Sequence, residues 1–157
     1  MKIVLNTSPV IFLAKIDCLT LLKDCVEEIY IPEAVFHELN DYLPPEFIKV
    51  YQVSDIGKAY VQGALGRLHQ GELEAMILAK EITADYVVLD DLLARNKAQK
   101  LGIKVIGTIG LLFLLEKRKL LNKEQVGQKI NHLTEQHGMY LSTPLLQQLR
   151  NKLFDIH

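Results

Sequence analysis

The sequence contains no tryptophan, only two cysteines and no apolar run that approaches the roughly 20 residues needed to cross a bilayer. Even the stretch Leu111 to Leu115 falls far short of a span. The N-terminus, MKIVLNTSPVIFLAKID, is apolar in parts, but Asn6, Thr7, Ser8 and Pro9 interrupt it and no small-residue cleavage site follows. These absences predict a cytoplasmic chain without a membrane segment. Cys18 and Cys25, in CLTLLKDC, are too few for a disulfide scaffold, and their spacing fits no common zinc pattern. They are expected as buried free thiols. Charge of one sign is also missing: 18 Lys and Arg stand against 19 Asp and Glu, for a net charge of −1. That excludes nucleic-acid binding through bulk positive charge, though not through a local basic groove. There is no glycine-rich phosphate loop and no dinucleotide fingerprint, which argues against an NTPase or a Rossmann dehydrogenase. No Gly-x-Ser-x-Gly elbow surrounds Ser8, so a serine nucleophile has little support.

What is present is the composition of a globular domain, 49% hydrophobic and 24% charged over 157 residues, without repeats or a long linker. Short β-rich runs alternate with helical ones. KIVL (2–5), EIYI (28–31), residues 48–53, YVVL (86–89) and IKVI (103–106) read as strands. Ser8-Pro9 reads as a cap and a first helical residue, Pro32 opens a helix through Leu39, and residues 54–67 are ambiguous because Gly57, Gly63 and Gly66 weaken a helix. Helices follow over 72–82, 92–101 with Gly102 as its stop, 108–120, 123–137 and 144–154. This alternation predicts an α/β fold, with a central parallel sheet and helices on both faces. In such sheets the functional crevice lies beyond the carboxyl ends of the strands, where the strand order changes direction.

The residues following the strands are therefore the candidates. Asn6, Thr7 and Ser8 follow KIVL; Asp90 and Asp91 follow YVVL; Glu38 lies on the helix after EIYI; Glu72 and Glu74 begin the helix before YVVL. Gathered carboxylates repel one another and call for protonation or a cation. Oxygen-only ligands suit Mg²⁺ or Mn²⁺, ions that assist phosphodiester hydrolysis. Each residue has a plainer alternative. Asp91 would also serve as the cap of the next helix and as a partner for Arg95. Glu72 would complement a helix dipole, and Glu38 would sit on a solvated face. Asp90 is not needed for capping the helix that starts at Leu92. Glu74 lies on a helix apolar nearly all round, where a carboxylate is costly unless paired, although Glu81 on the same side leaves room for a narrow wet edge. Arg67, Arg95, Lys97, Lys100 and Lys104 are the cations available to contact RNA beside an acidic crevice.

Taken together, VLNTSPVIFLAKI, GELEAMILAKE and YVVLDDLLARNKAQKLGIKVIGTIGLL resemble the PIN-domain superfamily over roughly residues 1–120. The resemblance implies a three-layer α/β/α sandwich and a Mg²⁺- or Mn²⁺-dependent single-strand ribonuclease, of the kind found as the toxin of a toxin–antitoxin pair. It implies a homodimer and an antitoxin protein able to block the site. It divides the chain into a PIN-like core over about 1–120 and a helical extension over about 121–157 of one domain. Glu38 matches the second acidic position of the superfamily. Glu74 matches the third, with Glu72 the near alternative, and Asp91 matches the fourth with Asp90 adjacent. At the first position stands Asn6 where the superfamily has aspartate, which removes a charge and a general base while keeping a carbonyl oxygen. Ser8 matches a hydroxyl that helps position water. The resemblance thus implies a catalytic set of Asp91, Asp90, Glu74, Glu38, Asn6 and Ser8. Asp91, Asp90, Glu74, Glu72, Glu38 and Asn6 are its metal ligands, and Arg95, Lys97 and Arg67 its RNA contacts.

Overall fold

Five parallel strands organise the chain, in the spatial order β3-β2-β1-β4-β5. They are β1 (Lys2–Leu5), β2 (Glu28–Pro32), β3 (Ile48–Tyr51), β4 (Tyr86–Val88) and β5 (Val105–Ile106). The computed structural model describes residues 1–154, so the last three residues of the expected extension lie outside the described residues. Among the described residues there are eight α-helices: α1 (Thr7–Lys15), α2 (Glu33–Glu38), α3 (Asp55–Ala64), α4 (Gln70–Glu81), α5 (Leu92–Lys100), α6 (Thr108–Lys117), α7 (Lys123–Gln136) and α8 (Thr143–Phe154). No helix among them is long and apolar enough to cross a membrane.

Side chains alternate across the pleat and so divide the core in two. Ile3, Leu5, Ile29, Ile31 and Val88 face one side, against Val10 and Leu13 of α1, Leu111 and Leu115 of α6, and Val126 and Ile130 of α7. Val4, Tyr30, Val87 and Leu89 face the other, against Val61 of α3, Leu73 and Met76 of α4, and Ala94 and Ala98 of α5. Two apolar clusters on the two faces of one sheet make the expected three layers. Leu121, Leu133 and Leu153 belong to the first cluster, so the C-terminal helices pack into the same core as β1. Both cysteines lie in that cluster as free thiols. Burial pushes each of them above its usual range.

The structure corrects several local expectations. Residues 54–67 contain α3, started by Ser54, whose hydroxyl accepts from the Gly57 amide at 3.0 Å. Its Gly57 packs under Val53 and Ile77, so tertiary contact outweighs the low helix propensity of glycine. Ser8 is not the cap of α1. The helix begins at Thr7 with Asn6 in the cap position, which places Pro9 third, still inside the first turn where proline is tolerated. The helix expected over 108–120 ends at Lys117, because Lys119 takes a left-handed conformation at φ 63°.

From β1 the chain moves outward through β2 to β3, then returns to the other side of β1 for β4 and β5. The switch in direction therefore falls between β1 and β4. The Asn6 amide donates to the Val88 carbonyl at 3.2 Å and ties the two strand ends together.

Candidate functional site

A crevice of about 610 Å³ opens beyond this switch point, lined by Asn6, Thr7, Ser8, Glu38, Arg67, His69, Gln70, Glu72, Asp91 and Leu93. Asn6 comes from the end of β1, Glu38 from the end of α2, Glu72 from the first turn of α4, and Asp91 from the start of α5.

Each carboxylate is oriented by backbone amides. Asp91 Oδ2 accepts from the Ala94 amide at 3.1 Å and caps α5. Glu72 Oε1 accepts from the His69 amide at 3.0 Å. Glu38 Oε1 accepts from the Gly71 amide at 3.0 Å, and its Oε2 accepts from the Thr7 hydroxyl at 2.6 Å. Asp91 Oδ1 and Glu72 Oε2 take no hydrogen bond among the described residues. No described residue forms a salt bridge with Glu38, Glu72 or Asp91. Three carboxyl groups thus share the crevice with one guanidinium, that of Arg67.

Asn6 is the unusual member. It is 6% exposed, and its Oδ1 is buried without a hydrogen-bond partner. A capping asparagine directs this oxygen to the amide of the second or third helical residue. The third residue here is Pro9, which has no N–H, and Asn6 makes no side-chain cap bond. An unsatisfied buried polar atom costs about 1–3 kcal/mol.

Other candidates are placed elsewhere. Asp90, the acid that capping of α5 did not require, caps a different helix. It accepts from the Thr108 amide at 2.8 Å and from the Thr108 hydroxyl at 2.6 Å, at the start of α6. Glu74 is 6% exposed and lines a separate hollow with Glu33, His37, Lys58 and Gln62. Its Oε1 accepts from the Ala34 amide at 3.2 Å and its Oε2 from the Gln70 side-chain amide at 2.9 Å. The resemblance favoured Glu74 over Glu72; placement favours Glu72, because 200° of helical rotation separates two residues two apart on α4. The expected wet edge does not reach Glu74, which is buried; Glu81 is exposed and accepts from the Ser54 amide and hydroxyl. Arg95 donates to the Leu89 carbonyl at 3.3 Å and forms no ion pair with Asp91 among the described residues. Lys97 lies over the Tyr60 ring at 5.9 Å from its centroid. Of the three expected RNA contacts, Arg67 alone lines the crevice. Sequence reasoning named Thr7 as a candidate after KIVL without giving it a role, and did not single out His69 or Gln70. The only signal for Thr7 is its place beside Asn6, and for the other two their place just before GELEA.

The family model DUF3368, a PIN domain, matches residues 2–154. The chain belongs to the PIN-domain family. The match to this PIN domain runs through α7 and α8, beyond the roughly 120 residues on which the motif resemblance rests. No curated protein matches the chain. PIN domains are generally nucleases and typically use divalent metals. The crevice of this PIN domain is a partial match to such an ion. Glu38, Glu72 and Asp91 offer carboxylate oxygens without a paired cation, Asn6 offers an unclaimed carbonyl oxygen, and His69 is the one imidazole in the lining. Against this, no three His, Cys, Asp or Glu side chains among the described residues are grouped closely enough to hold an ion by themselves. That combination fits a hydrated divalent cation held by these side chains partly through water; it does not fit a dehydrated cage.

Proposed function

We propose that this PIN domain is a metal-dependent endoribonuclease acting on single-stranded RNA. The observation that carries the reading is Asn6, which lines the crevice with a buried Oδ1 that has no hydrogen-bond partner, beside Glu38, Glu72 and Asp91, none of them paired with a cation among the described residues. These four residues would hold Mg²⁺ or Mn²⁺. When bound, such an ion supplies charge neutralisation for the phosphodiester and lowers the pKa of water. Asp91 Oδ1 and Glu72 Oε2 carry no internal hydrogen bond and are the oxygens able to take a proton from the attacking water. Asn6 cannot act as that base; its part is to donate an oxygen. Ser8, exposed at the crevice wall and released from capping, orients water, and Arg67 offers its guanidinium to a phosphate of the strand. Water adds to phosphorus and the P–O3′ bond breaks, leaving a 5′-phosphate and a 3′-hydroxyl. The superfamily resemblance supports a cytoplasmic toxin, a homodimer and an antitoxin protein that occludes the crevice, and these belong to the same proposal.

A second reading is a catalytically silent PIN domain that binds RNA or a protein. Asn6 favours it, as does the lack of three preassembled acidic ligands among the described residues. Incubation of a mixed RNA pool with Mn²⁺ or Mg²⁺ separates the two. Wild type is compared with Asp91→Asn, in which asparagine retains the cap of α5, and with Asn6→Asp. Cleavage by wild type that is lost in Asp91→Asn supports the nuclease. Cleavage at an equal rate in Asp91→Asn refutes the assignment of Asp91. Silence in wild type with activity gained in Asn6→Asp marks a decayed site, and silence in all three favours the binding module.

A further inference from the structure

We infer that Glu74 is a positioning residue that sets the place of Glu38 in the crevice, through a reciprocal clamp between α2 and α4. The inference rests on the reading of that crevice as a cation site. Helix α2 has six residues, fewer than two turns, and cannot persist on its own hydrogen bonds. It is held at both ends by carboxylates. At its start, the Ala34 amide donates to Glu74 Oε1 from α4 at 3.2 Å. At its end, Glu38 Oε1 accepts from the Gly71 amide in the first turn of α4 at 3.0 Å. Each helix presents a glutamate to the first-turn amides of the other, so the two run past each other in opposite directions. The electrostatics favour both contacts, because unpaired amides make the start of a helix positive.

The approach at Gly71 is close. A Cβ there would lie 2.7 Å from Glu38 Cδ and closer still to its oxygens. Glu38 also accepts from the Thr7 hydroxyl at 2.6 Å, so it joins the starts of α1 and α4 to the end of α2. Three walls of the crevice therefore meet at one carboxylate, and among the described residues the only other polar link into α2 from α4 is that of Glu74. Gln70 separates the two hollows: it lines the crevice and donates to Glu74 Oε2 at 2.9 Å. With an amide on each oxygen, the buried Glu74 is satisfied without an ion. That resolves the cost of a carboxylate on an apolar helix by hydrogen bonding.

The test uses the whole chain and two readouts: hydrogen exchange of the Ala34 and Gly71 amides by NMR, and Mn²⁺ binding by calorimetry. In Glu74→Ala both amides are expected to exchange about tenfold faster and Mn²⁺ to bind about tenfold more weakly, the size of one lost charged hydrogen bond. Glu74→Gln, whose amide oxygen still accepts from Ala34, is expected to keep both within about threefold, since little more than the charge is lost. In a Glu38→Gln background, Glu74→Ala is expected to weaken Mn²⁺ binding by less than about twofold, because both residues act at one point. Should Glu74→Ala fail to fold, Glu74→Asp leaves a smaller void and draws the carboxylate back from Ala34, with the same faster exchange at Gly71. Faster exchange at Ala34 with Gly71 unchanged overturns the inference, leaving Glu74 a local cap. An additive effect with Glu38→Gln overturns it too, and so does a Gln variant as weak as the Ala variant, which would mark Glu74 as a ligand through its charge. If wild type binds no Mn²⁺, the cation reading fails by itself and the exchange at Gly71 alone decides the clamp.

Discussion

Replacing Asn6 by leucine should stabilise the protein when divalent ions are absent and destabilise it, relative to wild type, when they are abundant. The two side chains have the same heavy-atom branching, so the substitution exchanges an amide for methyl groups at a site 6% exposed. The buried Oδ1 has no partner, and removing it recovers the cost of an unmet polar atom, about 1–3 kcal/mol, less some strain from the larger methyls. A net gain of about 1–2 kcal/mol should appear as a rise in Tm of about 2–8 °C for a chain of this size. The reverse holds with metal. An ion at about 100 times its Kd stabilises the fold that binds it by about 2.7 kcal/mol, and a leucine that offers no oxygen forgoes most of that gain. Urea denaturation with EDTA and again with Mn²⁺ provides both numbers, and the order of the two proteins should invert. A variant less stable than wild type in EDTA would show that Oδ1 is satisfied in solution. A variant stabilised by Mn²⁺ as much as wild type would show that the oxygen takes no part in holding the ion.

Gly71→Ala should lower stability by about 1–2 kcal/mol in thermal unfolding, opposite to the usual effect of this change in a helix, because the added methyl expels Glu38 from its amide; an equal or higher Tm would refute that contact. Asp90→Ala should cost about 2–3 kcal/mol through loss of both Thr108 hydrogen bonds while leaving Mn²⁺ affinity within about threefold, measured by urea unfolding and calorimetry. The Tyr30 hydroxyl donates to Glu28 Oε1 at 2.8 Å, and this bond, with burial, pushes its pKa up to about 12. Because the folded value lies above the ordinary 10, the associated stability is full below pH 10 and is lost as pH climbs toward 12. Phenolate absorbance should show a tyrosine titrating near pH 12 that Tyr30→Phe removes, while Tyr42, which burial also raises, remains. Cys18 and Cys25, buried with raised pKa values, should react with a thiol reagent only as fast as the protein unfolds; rapid labelling of the native protein would contradict their burial.

Local pattern was enough for much of this protein. The apolar runs at KIVL, EIYI and YVVL, each followed by a polar break, are readable as buried parallel strands, because such strands are covered on both faces and need no alternation. The order of strands and helices then locates the crevice at the ends of β1 and β4, where Asn6 and Asp91 are found. Helix α3 was not readable, because three glycines speak against it locally and only the contacts of Gly57 with Val53 and Ile77 speak for it.

Which carboxylates face one another was beyond sequence for a related reason. Asp90 and Asp91 are adjacent in the chain, and so nearly are Glu72 and Glu74, so composition and spacing rank them alike. Side-chain direction separates them: one member of each pair turns to the crevice, and the other turns to the start of a helix that is distant in sequence, Asp90 to α6 and Glu74 to α2. The chain alone determined the kinds of chemistry available, an amide, hydroxyls and acids after parallel strands. Tertiary structure decided which of those acids are already satisfied by helix amides and which oxygens remain for an ion, because the amide partners become neighbours only when the helices pack.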